Sequence, residues 1–390
     1  MFGVDWPPGF WSCREMNPQI PATRFRLGII ALALIAFLPL ARSEALKTRN
    51  VFLIISDGLR WQEIFGGAEE LLMTGSNGGV KNTNSLRAEF WRETPEARRE
   101  ALFPFIWTEV ARRGQLFGNQ KKGSVVTVTN GKNFSYPGYN EIFSGFGDPR
   151  IDSNDKKPNP NVTVFEWLNG RRGLKGRTLI FGSWDVFPYI VNCERSGLPI
   201  WPAWEKKFEK LEIEAPKAVV ELRRDTTRHW EEVTYDSFLF HAAFEGIKRL
   251  KPRVAFIGFG ETDEWAHAGR YDHYLTAAHH WDGFVRRLWE FAQSTPRYRD
   301  KTTFILTAAH GRGTGPTDWK SHGAKIEGSE EDWIAVFGPD TAALGERVNT
   351  TPRTQGQIAA TIAALLGEDF QAAVPKAAPK LSDVVGSGQR

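Results

Sequence analysis

Six short runs of apolar and β-branched residues punctuate the chain, at 51–56, 125–129, 178–182, 253–258, 302–307 and 333–337. They read as buried strands. Stretches with apolar residues at helical spacing lie between them, at 102–113, 235–250, 271–293 and 355–366. The second follows Thr234 as a cap candidate and ends before Lys251-Pro252; the last stops at Gly367. Strands alternating with helices predict an α/β fold, a mostly parallel central sheet with helices on both faces.

Other segments fit around that frame. Residues 62–100 are polar and Gly-rich, then charged, and read as an insertion after the first strand. Residues 146–162 have the Gly, Pro, Asn and Asp content of a loop. The Trp-rich stretch 183–233 is expected to form a lid over the sheet, and the tail from Gln371 to be loosely ordered. With 390 residues, 41% hydrophobic and 25% charged, the chain is of ordinary globular composition, which argues against disorder, a collagen-like repeat or a polytopic membrane protein. A net charge of +4 on this length gives no reason to expect a nucleic-acid-binding surface. Two cysteines, Cys13 and Cys193, exclude a disulfide scaffold.

The N-terminus reads as an export signal. Basic Arg24 and Arg26 precede a 14-residue apolar run, Leu27 to Leu40, and small residues follow, with cleavage expected after Ser43 or Ala45. A membrane-spanning helix needs about 20 apolar residues. The expected organisation is therefore a signal peptide with a long n-region over 1–45, one domain over 46–370 and a tail over 371–390. The mature protein is expected to be periplasmic or secreted, free of the membrane after cleavage, with Cys193 as a lone buried thiol.

Polar residues with chemical potential fall just after strands. Asp57 follows the first run, Asp263 follows the run ending near Gly260, and His310 follows 302–307. In open parallel sheets ligands bind outside the carboxyl ends of the strands, so three strands would deliver Asp, Asp and His to one edge. His267 lies four residues after Asp263, and His322 closes the Gly-rich stretch 311–323. Carboxylate and imidazole are the ligands zinc takes when cysteine is absent. Ser135 sits in Asn130-Gly-Lys-Asn-Phe-Ser-Tyr-Pro-Gly-Tyr139, after the second run and before a short helix expected over 139–143. A hydroxyl before a helix start is well placed for a phosphate, and needs a base or a metal to become a nucleophile. Read alone, Ser135 is first of all an ordinary helix cap.

Taken in order, these residues resemble the alkaline phosphatase superfamily, and most of all its type I phosphodiesterase/nucleotide pyrophosphatase branch and related exported bacterial phosphatases. The motifs are Ile54-Ile-Ser-Asp-Gly58, FSYPGYNEIFSG at 134–145, ETDEWAH at 261–267, AHGRG at 309–313, SHG at 321–323 and QIAATIAALLG at 357–367. The resemblance implies two divalent metal ions, zinc in that family. Carried over by position, the first would be held by Asp263, His267 and His322, and the second by Asp57 and His310 with the Ser135 hydroxyl. The family pattern has an aspartate immediately before the first His-Gly; Ala309 stands there instead, so the second site is short of one ligand and is expected to be the weaker. Formylglycine sulfatases are set aside, because Tyr139 stands where their motif has arginine.

The implied activity is hydrolysis of phosphate mono- or diesters through a phosphoserine intermediate on Ser135, with a small phosphorylated molecule as substrate. Lys132, Asn154 and Arg312 lie close in sequence to the site motifs and are expected to hold the substrate's non-bridging oxygens. Two alternatives remain at this point: a weakly active or non-catalytic binder of phosphorylated ligands, motivated by Ala309, and a sulfate or phosphonate ester hydrolase using the same serine.

Overall fold

In the computed structural model of the protein, residues 45–385 are described. The expected export signal lies outside them, except for Ala45, as do the last five residues of the tail. Eleven strands follow one another among the described residues: β1 (Asn50–Ser56), β2 (Gly114–Phe117), β3 (Val126–Thr127), β4 (Thr178–Gly182), β5 (Ile200–Pro202), β6 (Val254–Phe259), β7 (Thr302–Thr307), β8 (Glu331–Asp332), β9 (Ile334–Phe337), β10 (Gly345–Glu346) and β11 (Arg353–Thr354). Eight form one sheet in the order β10-β2-β9-β7-β1-β6-β4-β5, and three form a small sheet, β11-β3-β8. The five strands from β7 to β5 are mutually parallel, and β9 runs against them. Leu53 pairs with Phe256 on one side and Ile305 on the other, which puts β1 inside the parallel block, between β6 and β7.

Because successive strand side chains point to opposite faces, β1 feeds two cores. Phe52 and Ile54 belong to one apolar cluster, and Val51, Leu53 and Ile55 to the other. Helices cover both faces. The ones that matter for the site are α1 (Ser135–Ser144), α2 (Asp236–Leu250), α3 (Glu261–His267), α4 (Tyr271–Ser294) and α5 (Gln357–Leu365). Leu239 and Phe240 of α2 and Tyr274 and Trp281 of α4 pack on the first face. Ile142 and Phe143 of α1 and Ile358 and Ile362 of α5 pack on the second. Each such side chain contributes roughly 1.5–3 kcal/mol by leaving water. Phe143 meets Phe256 of β6 at 4.9 Å between ring centroids, edge to face, and so fixes α1 against the sheet centre. Helix α2 stops where Lys251 turns left-handed ahead of Pro252, and α4 stops at extended Thr295 ahead of Pro296.

The structure departs from the sequence expectations in three places and fills in the insertion after the first strand. The run 125–129 gives a strand only over β3, in the small sheet rather than the large one. Its end is drawn off by the buried Glu141 of α1, whose carboxylate accepts from the backbone N–H and hydroxyl of Thr129 and from the backbone and side-chain nitrogens of Asn130. Helix α1 starts at Ser135 itself, earlier than the expected 139. The insertion 62–100 is largely helical, and its Ile64, Phe65, Leu86 and Phe90 join the first core. The tail, expected to be loose, is docked as far as Val385: Leu381, Val384 and Val385 are buried, and Asp383 pairs with Arg353 at 2.5 Å. Among the described residues, no helix is long and apolar enough to cross a membrane.

Candidate active site

Three parallel strands end on one edge of the sheet and hand over Asp57 (after β1), Asp263 (on α3, after β6) and His310 (after β7). The junctions are tied together. The Asp57 backbone N–H donates to Phe259 O at 2.9 Å. The Thr262 hydroxyl donates to Asp57 O at 2.6 Å and lies 2.8 Å from the Ser56 hydroxyl. Gly58 turns the chain with φ of +60°, and a Cβ there would lie 2.5 Å from Asp263 Oδ1 and 2.7 Å from Arg312 Nη1. The first motif thus needs glycine both for the turn and for the closeness of the groups behind it.

These groups and His267, His322 and Ser135 converge. Asp263 and His267 share one face of α3 at i and i+4, with His267 Nε2 3.2 Å from Asp263 Oδ2. His322 Nε2 is 3.0 Å from His267 Nε2 and 3.7 Å from Asp263 Oδ1. The His310 and His322 rings overlap at 4.0 Å between centroids. His310 Nε2 faces Asp57 Oδ1 at 3.2 Å, Asp263 Oδ1 at 3.8 Å and the Ser135 hydroxyl oxygen at 3.4 Å. Its other nitrogen, Nδ1, lies 2.9 Å from the Gly311 carbonyl, an acceptor that puts the ring proton on Nδ1 and leaves Nε2 as the lone-pair side.

The donor set fits a divalent cation. Asp263, His310 and His322 each offer a ligand atom, all within 4.8 Å of one another, the one such group of three among the described residues. Asp57 Oδ1 is buried with no hydrogen-bond partner, a costly state for a carboxylate oxygen that a cation would relieve. This trio draws on both of the ligand sets expected from the motifs, with His267 adjoining it.

The electrostatics keep Asp263 and His322 in the form a cation needs, while those of His310 run the other way. Burial would raise Asp263, but the Arg312 guanidinium and then His267 outweigh it and hold this carboxyl well below the usual range. Burial and the neighbouring His310 push His322 down to about 2, so its ring is neutral at physiological pH. Burial lowers His310, but the Asp57 carboxylate overrides it and the net direction is upward.

Ser135 is the first residue of α1, and its hydroxyl is not spent on capping the helix. Asn154 caps the next position instead, its Oδ1 accepting from the Tyr136 backbone N–H at 3.0 Å. Ser135, Asp57, Asp263, His267 and His322 line an open cleft of about 190 Å³, with Trp184 and Phe187 from beyond β4 on its other wall. Trp184 bridges to Val233, so the two ends of the Trp-rich segment meet beside the cleft.

Of the residues expected to hold substrate oxygens, Asn154 lines the cleft. Lys132 is half-buried and does not line it; its backbone N–H donates to Asn130 Oδ1. Arg312 is fully buried behind Asp263, to which its Nη1 donates. The Ala309 side chain belongs to the apolar cluster under the sheet edge. Its carbonyl oxygen would lie 2.1 Å from a Cβ at position 138, so Gly138 lets α1 press against the His310 loop.

Sequence reasoning missed Tyr139 as a cleft residue. Tyr139 lines the cleft one helical turn after Ser135. Burial and the nearby Asp57 carboxylate raise its phenol well above the ordinary range, which keeps it protonated. The i, i+4 spacing from Ser135 carried that signal, since it places both side chains on one helix face. Glu264 also lines the cleft; burial, then Asp263 and Asp57, raise its carboxyl to about 8.

Solved structures share this architecture. A phosphonate monoester hydrolase from Silicibacter pomeroyi is 14% identical, with a TM-score of 0.54 over 88% of this chain and 78% of that one. Ps i-CgsB is 14% identical, with a TM-score of 0.51 over 86% of this chain and 75% of that one. A protein in the alkaline phosphatase superfamily from Vibrio parahaemolyticus is 14% identical over 83% of this chain and 67% of that one, with a TM-score of 0.46. No family model and no curated protein sequence matches the chain. The fold is thus the alkaline phosphatase-like one, a mostly parallel sheet between helices.

Proposed function

We propose that the protein is an exported, metal-dependent hydrolase of phosphate mono- or diesters that works through Ser135. The observation that carries this reading is the setting of the serine. Its hydroxyl opens a ten-residue helix, is free of capping duty and lies 3.4 Å from His310 Nε2, beside the Asp/His cluster. Asp263, His310 and His322 would hold the divalent ion, with Asp57 and His267 adjoining. When bound, such an ion supplies positive charge that favours the ionised serine and the charge developing on the phosphoryl oxygens.

The chain's own groups do the rest. The start of α1 offers its positive dipole end to the phosphate. Tyr139 lines the cleft beside Asp57, one helical turn after the serine. Ser135 loses its proton to solvent in the open cleft and its oxygen bonds to phosphorus, while the bond to the leaving alcohol breaks and that oxygen is protonated by water. Water then attacks the phosphoserine, releasing phosphate or its monoester and restoring the Ser135 hydroxyl. Trp184 and Phe187 give the leaving group an apolar wall.

The test is a substrate panel on metal-loaded protein: p-nitrophenyl phosphate, bis-p-nitrophenyl phosphate, p-nitrophenyl phenylphosphonate and p-nitrophenyl sulfate. Turnover of a phosphate mono- or diester, lost with chelator and restored by divalent metal, is the expected result. Cleavage of the phosphonate or sulfate alone would move the substrate class, and the likeness in fold to a phosphonate monoester hydrolase is the reason to include the former. Binding of phosphate with no turnover of any ester would leave the non-catalytic binder motivated by Ala309. Export is read separately: the N-terminal sequence of protein recovered outside the cytoplasm is expected to start at Glu44 or Leu46, and retention of residues 27–40 in a membrane fraction would contradict it.

A further inference from the structure

His322 has the least support from its own element of the three histidines in the cluster. His267 rides on helix α3 and His310 closely follows β7, whereas His322 lies outside any helix or strand. Its orientation comes from across the cleft. His322 Nδ1 lies 3.2 Å from the Asn133 carbonyl oxygen. A carbonyl only accepts, so this contact keeps the ring proton on Nδ1 and leaves Nε2 as the lone-pair side, toward Asp263 and His267.

Asn133 belongs to the loop that leads into Ser135, and its backbone is left-handed, with φ of +56°. Asparagine enters that region where a local hydrogen bond holds it. Here Asn130 Oδ1 accepts from the backbone N–H of Lys132 at 2.8 Å and of Asn133 at 3.0 Å, an Asx turn that wraps the loop around one side chain. Asn130 is held in turn, its backbone N–H and its Nδ2 each donating to Glu141 Oε2 at 3.0 Å. Glu141 is fully buried on α1, the helix that Ser135 opens. Its carboxylate also accepts from the Thr129 backbone N–H at 3.0 Å, the Thr129 hydroxyl at 2.6 Å and Gln355 Nε2 at 3.1 Å. Every partner is a donor, so a glutamine there would aim N–H groups at donors.

We propose that Glu141 is a positioning residue of the metal site: through Asn130 and the Asn133 carbonyl it sets the tautomer and aim of His322, on the same helix that carries Ser135. A buried carboxylate that merely tied the loop down would stabilise the fold and leave metal affinity indifferent to it. The two roles separate by branch. The Asn130 branch ends on a ligand, whereas the Gln355 branch leads only to the turn between β11 and α5. This inference rests on the metal-dependent reading of the site, but not on its turning over an ester.

The test measures Zn²⁺ affinity by competition with a chromophoric chelator, and the stability of the metal-free proteins by urea unfolding. Glu141→Gln and Asn130→Ala are each expected to weaken Zn²⁺ binding by on the order of tenfold, the low end of what outer-shell partners of a ligand contribute. Gln355→Ala should lower stability and leave affinity within about twofold of wild type. In a His322→Ala background, Asn130→Ala should lower affinity no further. Wild-type affinity in Asn130→Ala, an equal loss in Gln355→Ala, or a further loss in the His322→Ala background would each overturn the inference. If Glu141→Gln does not fold, the Asn130→Ala series decides. A wild type without Zn²⁺ affinity would sink this inference and the metal-dependent reading together, whereas a Zn²⁺-binding wild type matched by Asn130→Ala would sink this inference alone.

Discussion

Ser135→Ala is expected to lower kcat on the best phosphate ester by at least about three orders of magnitude, roughly 4 kcal/mol of transition-state stabilisation. The size follows from the role. If the serine oxygen forms the bond to phosphorus, its removal leaves only direct attack by water, and no other hydroxyl in the cleft takes its place at the start of α1. The fold has little to lose. The Ser135 hydroxyl caps no helix, and the side-chain partner within hydrogen-bonding range is His310 at 3.4 Å. Unfolding free energy should therefore change by less than about 1 kcal/mol. Metal content should be unchanged, since Asp263, His310 and His322 remain. Retained activity in the alanine variant, with metal still bound, would transfer the attack to water.

Asp263→Asn is expected to have the largest effect on the protein itself. Asp263 accepts from the buried Arg312 and contributes to the ligand cluster at once. An amide keeps the shape but not the charge, and offers N–H groups toward a guanidinium that has only donors. Leaving a buried arginine without its counter-charge costs about 3–5 kcal/mol. Loss of an anionic ligand should weaken metal binding at the same time, and with it any turnover. Urea unfolding of the metal-free variant isolates the first effect from the second. A metal-free variant as stable as metal-free wild type would show that the Arg312–Asp263 contact contributes nothing to the fold.

The positions of Asp57, Asp263 and His310 were legible in the sequence because they depend on few things. Apolar runs end abruptly just before them, and parallel strands in one sheet must end on one edge. Strands β4 and β7 were readable to the residue for the same reason, being continuous runs of apolar and β-branched residues buried throughout. What the sequence hid depends on long-range contacts. Strand β2 reads GQLF, with a polar residue inside; Gln115 is buried because its side chain reaches the Asp383 carbonyl at 2.8 Å, far along the chain. The docked tail was hidden by the same partnership, since Ala- and Lys-rich sequence says nothing about Asp383 finding Arg353. Arg312 read as a group for substrate oxygens beside a glycine-rich loop. Its inward course is set by the carbonyls of Trp319 and Lys320, which only the folded loop brings round it. Ala309 was legible as a missing ligand, but not its place in the apolar core.

The central claim is that Ser135 becomes covalently phosphorylated during turnover. The direct measurement is an acid quench of metal-loaded enzyme at saturating phosphate ester, followed by peptide mass spectrometry across 133–150. The account predicts a phosphate on Ser135 that is absent from the Ser135→Ala variant and from chelator-treated protein. A protein that turns over the ester while its trapped phosphate lies on another residue would contradict it, and so would turnover that persists in the alanine variant.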